Sequence, residues 1–387
     1  MGREPQAKQT LQIDGDDLLS RSHLSIHYRR GQLTVADNDS RNGTRLNGAS
    51  VQRSPLTDGD LLRIGDTMLL VRWATDDGDT ALDELWGIAP VMAELRNTIA
   101  LVAAASATVV LLGESGTGKG QSAKAIHRMS GRRGAFVAIN CAAIPEALAE
   151  SMLFGHKAGA FTGASRDEPG WFRAAHRGTL FIDEIGDMPA ALQPKLLHAI
   201  EDGAITPVGA TRPEPIDVRL VAATSVDLHD AVADKRFRGD LYARLAELVI
   251  RVPALCDRRE DVLLLLSHFL GDDAAPIDPD LAERLLLYPW PFNVRELKNV
   301  ATELGIRGVN RDMLTDDLIA WRLDDPVETS GIEPEPAADF TRENVAEALE
   351  RGRGVVSAVA RDLGCSRRHL YRLMERHGLD AKDFRQA

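Results

Sequence analysis

Apolar residues are spaced in three different ways along the chain. Between Leu24 and Val71 they come in short alternating runs: Leu24-Ser25-Ile26-His27-Tyr28, Leu33-Thr34-Val35, Leu61-Leu62-Arg63-Ile64 and Met68-Leu69-Leu70-Val71. Arg30-Gly31, Asn47-Gly48 and Asp58-Gly59 separate them. Alternation between glycine turns predicts hairpins and a small β-sandwich. From Trp86 onward the runs become continuous. The stretches Val109-Val110-Leu111-Leu112 and Leu180-Phe181-Ile182 suit strands buried on both faces, while residues 121–129 (Ala123, Ile126) have helical spacing. Strand and helix in alternation predict an α/β layout around a parallel sheet. The small-residue run 99–107 predicts a helix beside the first of these strands. After a spacer holding Pro326, Pro334 and Pro336 among acids, residues 343–350, 355–363 and 367–377 return to helical spacing. Gly352, Gly354 and Gly364-Cys365-Ser366 divide them, which predicts a helix-turn-helix.

The first continuous strand runs into Gly113-Glu114-Ser115-Gly116-Thr117-Gly118-Lys119-Gly120. Glycines there let successive N–H groups and the following helix N-terminus point at phosphate oxygens, and Lys119 supplies a cation for the β- and γ-phosphates. Gly120 stands where many such loops carry the Ser or Thr that binds magnesium. The metal must then be held from elsewhere. The second strand ends in Asp183-Glu184, where Asp183 can hold magnesium and Glu184 can polarise an attacking water. ATP and magnesium are therefore the expected cofactors.

Charge refines this picture. The formal net charge is -12, yet residues 338–387 carry 10 basic and 8 acidic side chains, so nucleic-acid contact is expected at the C-terminal end. Cys141, Cys256 and Cys365 lack metal-ligand spacing, no run reaches membrane-spanning length, and the first residues lack a signal-peptide core. A reduced, cytoplasmic protein without membrane attachment is the expectation.

Within the sandwich segment, Ser20-Arg21-Ser22-His23, Asp39-Ser40-Arg41-Asn42-Gly43-Thr44, Asn47-Gly48 and Leu56-Thr57-Asp58-Gly59-Asp60 with Ile64-Gly65 resemble, in order, a forkhead-associated (FHA) domain. The resemblance implies phosphothreonine binding, with Ser20, Arg21 and Arg41 around the phosphate, Asn42 on the peptide backbone, His23 bracing the loops and Arg3 as a further phosphate ligand. That family normally places one or two strands before Gly2-Arg3. Here the chain begins at that dipeptide, which implies an unpaired sheet edge or a start placed too late.

A narrower resemblance covers residues 86–322. The phosphate loop, Phe136-Val137-Ala138-Ile139-Asn140, Leu153-Phe154-Gly155-His156, Gly159-Ala160-Phe161-Thr162-Gly163-Ala164 and residues 178–189 are similar to the AAA+ domain of bacterial sigma-54-dependent transcription activators. No fold requires an aromatic residue flanked by glycines at a loop tip. The resemblance makes Phe161, Thr162 and Gly163 the contact with sigma-54. It also implies that Asn140 switches the catalytic glutamate, that Arg238 and Arg244 reach the γ-phosphate of a neighbouring subunit, and that Arg295 contacts nucleotide in cis. Gly120, Ser225, Phe292 and Cys256-Asp257 depart from the family pattern.

The last segment resembles a Fis-type DNA-binding domain, which makes Arg367, Arg368, His369 and Arg372 the candidates for major-groove contact. The expected organisation is an FHA domain (1–75), a linker (76–85), an α/β ATPase subdomain (86–253), a helical lid (254–322), a spacer (323–338) and a helix-turn-helix (339–387). The expected protein is an activator that opens promoters with sigma-54 RNA polymerase. It would bind double-stranded DNA and a phosphothreonine protein, resting as a dimer and working as a hexamer. The rival reading is a phosphopeptide-controlled repressor whose nucleotide site drives assembly alone.

Overall fold

The computed structural model describes residues 11–29, 32–72, 82, 85–324 and 342–351, together with Val359, Leu370, Met374, Gly378, Leu379 and Phe384. The chain divides into two compact units, residues 1–325 and 326–387.

The first unit opens with seven short strands: β1 (Leu24–Arg29), β2 (Gln32–Asp37), β3 (Thr44–Leu46), β4 (Ala49–Val51), β5 (Arg53–Leu56), β6 (Leu61–Ile64) and β7 (Thr67–Leu70). They form two antiparallel sheets, ordered β1-β2-β5 and β4-β3-β6-β7. Val35, Leu56 and Leu62 fill the space between them with Leu24, Leu33, Leu46 and Leu69. This is the expected sandwich, with one difference. Leu61 buries with the helical lid, and Met68 and Leu70 pack there too. Because successive strand residues point to opposite faces, the β3-β6-β7 sheet buries both of its faces.

Five parallel strands follow, β8 (Val109–Leu112), β9 (Phe136–Asn140), β10 (Thr179–Asp183), β13 (Arg219–Thr224) and β14 (Leu248–Arg251), in the order β14-β8-β13-β10-β9. A two-stranded ribbon, β11 (Ala204–Ile205) with β12 (Glu214–Pro215), lies between the third and fourth of these in sequence. Helices α1 (Pro90–Ala103), α2 (Lys119–Met129), α3 (Glu146–Phe154), α4 (Trp171–Ala174), α5 (Gln193–Asp202), α6 (Leu228–Ala233) and α7 (Gly239–Leu245) flank this sheet. Two clusters of buried side chains pack the sheet; Val110, Leu180 and Ile182 belong to one and Val109, Leu111, Phe181 and Val221 to the other. The helix expected over 99–107 starts nine residues earlier, at Pro90, and stops at Ala103. Proline suits the first helical position, and the chain must straighten after Ala103 to enter β8.

The lid is formed by α8 (Glu260–Leu270), α9 (Pro279–Leu287), α10 (Asn293–Arg307) and α11 (Ala320–Asp324) around Leu266, Leu281, Leu285, Trp290, Leu297 and Leu304. In the second unit, α12 (Arg342–Arg351) contributes Val345, Ala348 and Leu349 to a buried cluster with Val359, Leu370 and Met374.

Candidate functional site

Parallel order brings four strand ends to one edge. Leu112 of β8 pairs with Thr224 of β13, and Asp183 of β10 pairs with Asn140 of β9. The phosphate loop, Ser225, Asp183-Glu184 and Asn140 therefore line the carboxyl edge of the sheet, the place where open α/β sheets bind ligands. Gly116 in that loop has φ +79, and a Cβ there would lie 2.2 Å from the Phe292 carbonyl oxygen. Only glycine lets the lid approach so closely.

Lys119 opens α2 and is 6% exposed. Its ammonium donates to the carbonyls of Gly113 (2.9 Å) and Glu114 (3.1 Å) and lies 3.9 Å from Glu184 Oε1. Burial pulls its pKa down, opposed by Glu184 and Asp183. The Asp183 carboxyl is pushed up, first by burial and then by the adjacent Glu184 charge. Two acids and a lysine held in partly dry surroundings at one edge are what phosphoryl chemistry needs: an anion-binding cation, a metal-binding carboxylate and a base. Asp183 suits magnesium, which takes one or two carboxylates and completes its shell with phosphate oxygens and water. Among the described residues, no three His, Cys, Asp or Glu side chains converge as a metal cage of their own.

The lid meets the phosphate loop directly. Asn293 donates to Glu114 Oε2 (3.1 Å) and the Ser115 carbonyl (3.0 Å), and accepts from the Leu255 N–H (2.7 Å). Arg295 donates to Ser115 Oγ (2.8 Å), and the Val294 N–H to the Gly116 carbonyl (3.1 Å). Arg258, buried, donates to the Thr117 carbonyl (2.8 Å).

Away from this edge, the segment after α3 forms a tight loop. The Gly159 N–H bonds to the Ala164 carbonyl (2.7 Å) and the Ala164 N–H to the Phe161 carbonyl (3.0 Å). Gly159 (φ +81) and Gly163 (φ +107) occupy left-handed backbone with open space where a Cβ would sit, so conformation, not crowding, requires glycine. Phe161 at the tip is 40% exposed, its ring 4.9 Å from that of His156.

Three family profiles match the chain: the FHA domain over residues 1–65, the Sigma-54 interaction domain over 85–251 and the AAA+ ATPase lid domain over 256–321. Transcriptional regulatory protein GlrR of Escherichia coli strain K12 is 40% identical over 326 residues, covering 81% of this chain and 73% of its own. This chain belongs to the sigma-54-dependent transcriptional regulators. ZraR of Salmonella typhimurium is 41% identical over 306 residues, covering 75% of the regulator described here and 68% of itself. The crystal structure of NtrX from Brucella abortus in complex with ATP superposes with a TM-score of 0.58 at 32% identity, covering 77% of the regulator and 70% of that chain. The central unit is an AAA+ ATPase.

Asn140 Oδ1 accepts the Ala142 N–H (2.9 Å), capping the turn that follows β9. Glu184 is held from the other side: its Oε2 accepts both the N–H (3.1 Å) and the hydroxyl (3.0 Å) of Ser225. In the sequence Ser225 stands only as a departure from the family pattern, and Asn293 has no assigned role. Arg238 pairs with Asp240 (2.6 Å) and Arg244 with Glu247, all four on the surface or near it.

In the sandwich, the expected loops do meet. Ser20 Oγ accepts the Arg41 N–H (3.0 Å), Asn42 donates to the Leu18 carbonyl (2.7 Å), and buried His23 links the Ser20 N–H (3.2 Å) to the Gly43 carbonyl (3.0 Å). Arg21 is exposed beside them. Arg3, Arg367, Arg368, His369 and Arg372 lie outside the described residues. Among the described residues, no helix is long and apolar enough to cross a membrane.

Proposed function

We propose that the regulator hydrolyses ATP as a ring and uses the cycle to remodel sigma-54 RNA polymerase, so that promoters open when a phosphothreonine signal reaches the FHA domain. The observation that carries this reading is the company kept by one α/β unit: a Lys119–Asp183–Glu184–Arg295 edge suited to a nucleoside triphosphate and an exposed aromatic loop tip at Phe161.

In this reading Lys119 and the loop N–H groups hold the phosphates. Asp183 holds magnesium, which would screen phosphate charge when bound. Glu184 takes the proton of the attacking water, and Ser225 aims it. Arg295 senses nucleotide from the lid. Arg238 and Arg244 act across a subunit boundary, where an arginine finger is worth on the order of a thousandfold in rate; their acidic partners are short-range surface ones that a phosphate could replace. Phe161, Thr162 and Gly163 touch sigma-54. Ser20, Arg21, Arg41 and Asn42, with Arg3, receive the phosphopeptide through charge-assisted hydrogen bonds. Arg367, Arg368, His369 and Arg372 bind double-stranded DNA upstream of the promoter, tethering a dimer that becomes a hexamer when active.

Gly120 and Ser225 favour a second reading, a phosphopeptide-controlled DNA-binding repressor that holds nucleotide only to assemble. Phosphate release by the purified chain separates the two. Sustained turnover that rises steeply with protein concentration supports the ring ATPase. Tight nucleotide binding without phosphate release would leave the repressor standing.

A further inference from the structure

The β3-β6-β7 sheet is docked on the lid through side chains that the phosphate loop and the phosphopeptide loops do not use. Arg45 of β3 and Arg63 of β6 stand directly opposite each other in the ladder. Like charges in that position repel. Here one oxygen of the lid acid Glu283 in α9 accepts from both, at 2.9 Å and 2.8 Å, and Arg63 also reaches Asp280 (2.5 Å). Beside this clamp, Leu61, Met68 and Leu70 pack into the lid core, and the Asn47-Gly48 turn approaches Leu287. At the far end Arg72 takes Glu260 in both arms and the Asp257 carbonyl (3.2 Å), while Arg259 donates back to the Gly59 carbonyl (3.0 Å). Asp257 is one of the chain's departures from its family's pattern.

Two sets of bonds lead away from the clamp. On the sandwich side, Arg63 Nε donates to the Gly65 carbonyl (2.9 Å) in the β6–β7 turn. Asp16 accepts from the Asp66 N–H (2.9 Å) and Thr67 Oγ1 (2.8 Å) in that turn, and from the Leu18 N–H (2.9 Å). Leu18 is the residue whose carbonyl holds Asn42, in the loop that carries Ser20. On the lid side, α9 packs in one core with α10, whose first turn bears Asn293 and Arg295 on the phosphate loop. Beyond Arg72, Leu82 and Leu85 are buried in the α/β core. The sandwich is thus bonded to the lid and, through the shared packing of α9 and α10, connected to the residues that hold the phosphate loop.

The clamp is also built to let go. Glu283 is 5% exposed and its second oxygen, Oε1, is buried with no hydrogen-bond partner. Undocking would return that oxygen to water, offsetting part of what the two arginines contribute.

We infer that the sandwich is a releasable brake on the lid, and that phosphothreonine binding at the Ser20–Arg41 loops releases it by shifting the Asp16–Gly65–Arg63 connection. The input rests on the FHA reading above; the brake does not. An anion at those loops and an open lid are coupled reciprocally, because each changes the same docking equilibrium.

The test uses the full chain and three measurements. In Arg45→Glu/Arg63→Glu, amide exchange over 279–287 and 61–70 should rise and ATP turnover at saturating substrate should increase about fivefold or more. Adding Glu283→Arg to that variant should restore both. A pool of phosphothreonine peptides, against the same pool dephosphorylated, should raise turnover of the wild-type chain and not of the undocked variant. Unchanged exchange in the double variant would overturn the docking surface. Raised exchange with unchanged or lowered turnover would overturn the brake. A working brake indifferent to the peptide pool would refute the coupling and the phosphothreonine input while leaving the docking intact.

Discussion

Two donors on a single oxygen of Glu184 give Ser225, in the proposed mechanism, the task of aiming the base. A serine just past β13 reaches a carboxylate just past β10 only because the parallel sheet sets these strands side by side. Ser225→Ala keeps the N–H bond and loses the hydroxyl, so kcat should fall roughly tenfold with KM little changed, the pattern of a lost positioning contact; an unchanged kcat would remove Ser225 from the mechanism. The phosphate loop and the acid pair were legible at this scale because glycine, lysine and carboxylate chemistry is tied to position along the chain. The bond by which the Asn140 amide oxygen caps the Ala142 N–H was not. A side-chain oxygen can bond a backbone N–H two residues on or a more distant group, and residue order does not say which.

At the level of elements, the junction between Trp290 and α10 shows how backbone conformation serves the site. Trp290 (φ +51) and Asn293 (φ +53) both adopt left-handed backbone. Asparagine tolerates that region better than other side chains, and there its amide spans Leu255 and the phosphate loop. Asn293→Ala should cost about 2–4 kcal/mol, from the left-handed alanine and from buried groups left unpaired, and should weaken ATP binding. Asn293→Gly should recover the backbone share of the stability but not the affinity; chemical denaturation and nucleotide titration of both variants check this. Alternation in the first 75 residues predicts a sandwich but does not by itself say that one sheet is covered on both faces. The consecutive apolar runs, Leu61-Leu62 and Met68-Leu69-Leu70, carried the missing information, since a strand with apolar residues on both sides is covered on both sides. The run 99–107 misled in the opposite way: small residues favour helix, but nothing in propensity alone says that the chain must leave the helix at Ala103 to enter β8.

Across the whole molecule, the order of parts was readable because each has its own hydrophobic period and its own turn chemistry. The docking of the sandwich on the lid was not, because Arg45, Arg63 and Arg72 look like any solvated arginines until the fold sets Glu283, Asp280 and Glu260 against them. The central claim is that nucleotide turnover at the carboxyl edge is delivered to sigma-54 through the loop tipped by Phe161. The most direct measurement is ATP-dependent open-complex formation by sigma-54 RNA polymerase with Phe161→Ala, run beside phosphate release by the same variant. The account predicts that phosphate release persists while open complexes fall at least tenfold, as loss of a central aromatic anchor would cause; open complexes formed at the wild-type rate would contradict it.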